Sequence, residues 1–109
     1  MQDSNFKELL LWLIRLRRRY RVTGASMFPL LAAGDEVLVD RRAYRQQRPQ
    51  VGDIVVAQHP AQADLQIIKR VAEVMIDGRF HLRGDNSNES SDSLVPRNLI
   101  LGRVTSKFG

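Results

Sequence analysis

A chain of 109 residues is one domain's worth of sequence, and the lack of any cysteine excludes disulfides, thiolate metal sites and a cysteine nucleophile. Two histidines, His59 and His81, are too few for a histidine-rich zinc site. The formal net charge of +5 is local: residues 1–21 hold Lys7, Arg15, Arg17, Arg18, Arg19 and Arg21 against only Asp3 and Glu8, a clustering that fits a docking surface for an acidic partner or anionic lipid and not a groove for nucleic acid.

From the N-terminus, Phe6, Leu9, Leu10, Leu13 and Ile14 recur at i, i+3, i+4, i+7 and i+8 and predict an amphipathic helix. Asp3, Ser4 and Asn5 are candidate caps. Leu11, Trp12 and Leu16 widen the stripe, and the arginines fall in the last turn, where cations suit the helix dipole. Residues 1–21 are thus read as a basic amphipathic helix and residues 22–109 as the domain proper. The apolar run Leu9 to Ile14 is far below the roughly 20 residues that span a bilayer. Its charges follow it, whereas those of a secretory signal peptide come first. Two placements stay open: packed on the domain's own core, or lying on a membrane surface or partner with Trp12 and the arginines at the boundary.

Beyond Tyr20, short strand-like runs alternate with turn signals. Val37-Leu38-Val39, Ile54-Val55-Val56, Leu65 to Ile76, Arg79 to Arg83 and Leu99 to Val104 are the predicted strands, and Asp77-Gly78 reads as a hairpin turn. Gly24, Gly34-Asp35, Pro49, Gly52-Asp53, Pro60 and Pro96 punctuate the rest. The fold class is mainly β: a small folded sheet or partial barrel with an N-terminal helix.

Three segments carry candidate chemistry. In Gly24-Ala25-Ser26-Met27-Phe28-Pro29, a tight turn can project the Ser26 hydroxyl and aim backbone N–H groups at a developing oxyanion; the same residues also suit an ordinary loop. In Ile67-Ile68-Lys69-Arg70-Val71, strand alternation puts Ile67, Lys69 and Val71 on one face. Turned inward, Lys69 loses solvation and its pKa falls, so that a neutral amine is available as a base. Turned outward, it is an ordinary surface lysine, and alternation alone does not choose. The polar loop Gly84-Asp85-Asn86 to Ser93 offers hydroxyls and carboxylates to orient such an amine, or is a solvated turn.

Taken in order, these segments resemble the Ser/Lys peptidases of the signal peptidase I type. The matching residues are Gly24-x-Ser26-Met27-x-Pro29-x-Leu31-x-x-Gly34-Asp35-x-Val37-Leu38-Val39, then Gly52-Asp53-Ile54-Val55, then Ile68-Lys69-Arg70-Val71, then Gly84-Asp85-Asn86 with Ser90-x-Asp92-Ser93. The resemblance implies Ser26 as nucleophile, Lys69 as general base, Ser90 as a hydroxyl bonded to the lysine and Asp92 as a structural acid beside the site. It also implies a substrate held as an added strand, with no metal or cofactor. Two positions depart from the family pattern. Gly24 stands where many bacterial members carry an oxyanion-binding hydroxyl, leaving the Ser26 N–H, with Thr23 or water, for that task. Leu94 stands where the family has an arginine, so Asp92 needs another partner, for which Arg70 and Arg97 are the candidates.

The short chain, the absence of an anchor and the GASMFP box also resemble the nickel-type superoxide dismutase maturation proteases of that family. That likeness implies removal of an N-terminal extension from the dismutase precursor, in the cytoplasm or at the periphery of a membrane, with Arg15, Arg17, Arg18, Arg19 and Arg21 as the docking cluster. The rival expectations are a signal peptidase acting on exported preproteins at the membrane surface and a non-catalytic peptide-binding module. His59 and His81 fall in no recognisable catalytic segment and are expected to be surface or structural residues.

Overall fold

A computed structural model describes residues 2–3, 6–13, 17–89 and 91–108. The expectations placed on Ser4, Asn5, Ile14, Arg15, Leu16 and Ser90 lie outside the described residues. The elements in chain order are β1 (Gln2–Asp3), α1 (Phe6–Leu13), β2 (Arg18–Arg21), β3 (Glu36–Asp40), β4 (Ile54–Gln58), β5 (Gln66–Val74), β6 (Phe80–Arg83), β7 (Ser93–Val95), a 3-10 turn (Arg97–Leu99) and β8 (Ile100–Phe108). The strands form one curled sheet in the order β2-β3-β8-β4-β5-β6-β7, antiparallel throughout, with β1 added parallel to β8. The mainly β architecture expected from the runs and turns is the one observed. No helix among the described residues is long and apolar enough to cross a membrane.

The basic N-terminal segment departs from expectation. Residues 18–21 are not the last turn of a helix but a strand paired with β3, Tyr20 opposite Val37 and Arg21 opposite Glu36. Alternation explains why. Tyr20 packs on the apolar cluster around Val22 and Val37, while Arg19 and Arg21 point the other way and both engage Glu36. Cross-strand charge pairing thus takes up arginines that the sequence pattern assigned to a helix terminus.

Two apolar clusters, one on each face, hold the sheet. Val22, Met27, Leu31, Val37, Val39, Ile54, Val56 and Val104 form the first, and Val55, Ala57, Val71, Phe80, Leu82 and Val95 the second. Strand β4 contributes alternate residues to both, which is why its sequence is an unbroken apolar run rather than an alternating one. Where β8 crosses β3, Gly102 allows backbone contact closer than any side chain permits: an added Cβ would lie 2.7 Å from the Asp40 carbonyl oxygen and 2.7 Å from Val39 Cγ1. Gly102→Ala is therefore expected to destabilise the fold by about 1–3 kcal/mol through overpacking, read as a lowered urea midpoint at unchanged m-value.

Candidate active site

The segment carrying Ser26 is closed at its base by two backbone bonds, from Val22 N to the Asp35 carbonyl (2.8 Å) and from Gly34 N to the Val22 carbonyl (2.9 Å). Gly24, at φ +79°, makes the left-handed turn that an L side chain resists. Phe28 N then donates to the Ala25 carbonyl and Leu31 N to the Met27 carbonyl, setting Met27 and Leu31 one turn apart. Both are fully buried in the first apolar cluster. Met27 thus anchors the turn from below and leaves Ser26, half-buried, at its rim.

A second segment grips this turn. Asn86 N donates to the Ser26 carbonyl (2.8 Å), Asn86 Nδ2 to the Ala25 carbonyl (3.0 Å), and Asp85 N lies 3.4 Å from Met27 Sδ. Asp85 is itself fixed by Arg70, whose Nε and Nη2 each reach one carboxylate oxygen at 2.9 Å while Nη1 donates to the Gly52 carbonyl. This bidentate pair holds the Asp85 carboxyl below its ordinary range. Gly84 beside it is buried. The Gly84-Asp85-Asn86 segment therefore braces the backbone on either side of Ser26. The two other Gly-Asp turns are braces too: Asp35 caps Ala32 N, and Asp53 accepts from Tyr44 Oη and Gln50 N.

Lys69 is turned inward. It is 5% exposed on β5, opposite Val55 and flanked at two residues' distance by Ile67 and Val71, which pack in the second cluster. Burial lowers its pKa, and the negative charge of Asp92 works in the opposite direction. A cavity of about 170 Å³ has Ser26 and Lys69 in one lining, together with Val22, Thr23, Met27 and Ile68. A larger hollow of about 530 Å³, lined by Glu8, Arg17, Asp53 and Arg70 among others, contains neither residue.

Asp92 finds a partner that the sequence did not suggest. His81 Nε2 is 2.8 Å from its Oδ2 and Arg83 Nη2 is 3.4 Å away, both from the neighbouring strand β6. His81, first among these, and Arg83 hold the Asp92 carboxyl below its ordinary range. Arg70 is committed to Asp85, and Arg97 donates instead to the Tyr44 and Gln47 carbonyls. The arginine missing at Leu94 is thus replaced from β6, by residues separated from Asp92 in sequence but adjacent across the hairpin. Nothing local marks His81 for this role; the register that pairs it with Leu94, two residues from Asp92, is a tertiary fact. His59, by contrast, accepts from Ala61 N and Gln62 N and caps its own turn. Ser90 lies outside the described residues. Among those described, no group of three or more metal-ligating side chains occurs.

The profile of one family, signal peptidase, peptidase S26, matches residues 8–75. Signal peptidase I of Aquifex aeolicus (strain VF5) is 36% identical over 56 residues, 51% of this chain and 22% of the relative. Mitochondrial ATP-independent inner membrane protease subunit 1b of Arabidopsis thaliana is 35% identical over 107 residues, 74% of this chain and 63% of the relative. Signal peptidase I of Buchnera aphidicola subsp. Acyrthosiphon pisum (strain APS) is 33% identical over 64 residues, 48% of this chain and 20% of the relative. The chain therefore spans about a fifth of the bacterial relatives and under two thirds of the plant one. No solved structure matches it.

Burial of Lys69 has a measurable sign. Its folded pKa lies below the unfolded value near 10.5. The unfolded chain thus binds more protons between those two values, and stability rises with pH across that window. Lys69→Met removes the buried charge. It is expected to melt at a higher temperature at pH 7 and to lose that alkaline rise, as followed by calorimetry from pH 6 to 11.

Proposed function

The chain belongs to the signal peptidase family, peptidase S26, and from that premise we propose that it is a serine endopeptidase in which Ser26 is the nucleophile and Lys69 the general base. The observation that carries this reading is the placement of a half-buried hydroxyl and a buried, pKa-lowered amine in the lining of one small cavity. As Ser26 Oγ attacks the scissile carbonyl carbon, its proton passes to Lys69 Nζ. The tetrahedral intermediate then expels the amine, which takes that proton from Lys69, and an ester to Ser26 remains. Lys69, neutral again, accepts a proton from water as the water attacks the ester, and then returns it to Ser26 Oγ as the acid product leaves. With Gly24 offering no hydroxyl, the Ser26 N–H is the donor for the oxyanion, with Thr23 on the cavity wall beside it.

The sheet offers a seat for an extended substrate. Strand β6 pairs with β5 only from Arg70 onward, so among the described residues no strand pairs with the Gln66–Ile68 edge on that side. Tyr20 to Thr23 line the same cavity. A substrate strand entering between them gains main-chain hydrogen bonds and brings its carbonyl toward Ser26. Our reading of the substrate is the N-terminal extension of a precursor protein, the nickel-type superoxide dismutase precursor, on the likeness carried by the GASMFP box. The Arabidopsis relative, named an inner membrane protease, favours the rival reading of an enzyme that cleaves exported preproteins at a membrane. Incubation with each precursor, followed by sequencing of the new N-terminus, separates the two.

Ser26→Ala and Lys69→Ala are each expected to lower kcat by about a thousandfold or more while the circular dichroism spectrum is retained. Near-normal turnover in Lys69→Ala removes the proposed base. The pH–rate profile is expected to rise toward alkaline pH as Lys69 deprotonates. Asp92→Asn, by removing the charge that favours the ammonium form, shifts that rise to lower pH; an unmoved profile means that Asp92 does not act on the amine.

A further inference from the structure

Strand β6 reads Phe80-His81-Leu82-Arg83, and alternation divides it between two faces. Phe80 and Leu82 are buried in the second apolar cluster, so His81 and Arg83 share the other face. Antiparallel pairing sets His81 opposite Glu73 of β5 on one side and Leu94 of β7 on the other. Asp92, two residues before Leu94, stands at the diagonal position that a long side chain reaches across a strand pair. The imidazole therefore lies between two carboxylates: Nε2 is 2.8 Å from Asp92 Oδ2, and Nδ1 is 3.9 Å from Glu73 Oε1. Arg83 Nη2 is 3.4 Å from the same Asp92 oxygen. Among the described residues, Glu73 and Asp92 are thus the charged groups facing His81. Asp92 in turn faces His81 and Arg83, and its charge acts on Lys69.

The two β6 partners of Asp92 are not equal. His81 makes the shorter contact and its side chain is 20% exposed, whereas that of Arg83 is 59% exposed, where water screens its attraction. An ionised carboxylate only accepts hydrogen bonds, so His81 Nε2 carries the proton and donates it. That donor is present in the neutral imidazole and in the imidazolium alike, so the hold is independent of the charge on His81. Asp92 is also the negative charge that favours the ammonium form of Lys69 against the effect of burial. One carboxylate thus stands between the donors of β6 and the amine of β5. What the first take up, the second does not receive.

We propose that His81 is a positioning residue that draws the Asp92 carboxylate toward β6 and keeps it from settling against the buried Lys69 amine. Without that hold, Arg83 is the remaining β6 partner, and more of the carboxylate's charge reaches the ammonium and keeps it protonated. With it, burial prevails and the neutral amine forms more readily. His81 touches neither Ser26 nor the cavity they share, and acts on Lys69 through Asp92. The consequence for turnover rests on the reading of Lys69 as the base. The consequence for the amine itself does not.

The test follows the amine directly. Lysine occurs only at Lys7, Lys69 and Lys107, so a carbon label at lysine Cε gives few enough NMR signals to titrate, and Lys69→Met identifies the one from Lys69. His81→Leu is expected to raise the pH at which Lys69 titrates by about half a unit or more. Asp92→Asn is expected to lower it. His81→Leu combined with Asp92→Asn should match Asp92→Asn alone, because His81 acts through Asp92. His81→Gln, whose amide reaches the Nε2 position, should keep the natural titration. His81→Asn, whose amide falls short, should behave as His81→Leu does, and it carries the test if the leucine variant does not fold. An unmoved Lys69 signal in either folded variant overturns the proposal, as does a further shift when His81→Leu is added to Asp92→Asn. A Lys69 signal that moves while the pH–rate profile stays fixed supports the hold by His81 and overturns Lys69 as the base.

Discussion

An amine kept from water inside a β-sheet is the constraint on which the rest of the structure turns. Lys69 sits among Val55, Ile67 and Val71, and placing an ammonium there carries a desolvation cost that a surface lysine does not. The fold meets that cost by pairing β5 with β4, a strand itself bonded on both edges, to β5 and β8. The Val55–Lys69 pair lies within the β4–β5 ladder, and β4 is buried on both faces, so the side chain cannot swing out without disrupting the apolar packing around it. The lowered pKa of this amine is in this sense a property of the whole sheet.

The Ser26 hydroxyl, in the lining of the same cavity, is held by a different device. Ser26 belongs to no strand or helix, and a turn of this length has few internal bonds to fix it. Its position derives from one buried side chain below, Met27, and from Asn86, which bonds the backbone on both sides of it. Asn86 is in turn only as fixed as Asp85, and Asp85 is fixed by Arg70, the residue next to Lys69. The turn that carries the serine and the strand that carries the lysine are therefore linked by a continuous path of hydrogen bonds through the Gly84-Asp85-Asn86 segment. The adjacency of Lys69 and Arg70 has a geometric reason: alternation sends one side chain to the apolar face and the other to the brace.

Much of this was legible in the sequence, and the rest was not for identifiable reasons. The strands around Leu38, Val55, Ile68 and Leu82 announce themselves by branched apolar runs between turn residues, and the segments carrying Ser26, Lys69 and Asn86 by their resemblance. Alternation could not tell which way Lys69 points, because β5 is apolar on both sides of it. The run Arg17-Arg18-Arg19-Tyr20-Arg21 suits a helix C-terminus as a composition. Only the presence of Glu36 across the sheet makes it a strand, and cross-strand partners have no local signature. The role of His81 is hidden for the same reason, since its relation to Asp92 exists only once β6 and β7 are paired.

The same distinction governs the charge of the molecule. Composition places most of the excess basic charge in residues 1–21, yet Arg17, Arg19 and Arg21 are taken up by Glu8, Asp40 and Glu36, and their fields are largely cancelled at short range. The positive potential that reaches solvent is set by which arginines the fold leaves without a carboxylate, and among the described residues four of these, Arg41, Arg42, Arg45 and Arg48, lie in the segment after β3. Their backbone is pinned by Tyr44 and Arg97. Net charge says how much attraction a chain has to offer. The pairing pattern says where it is offered.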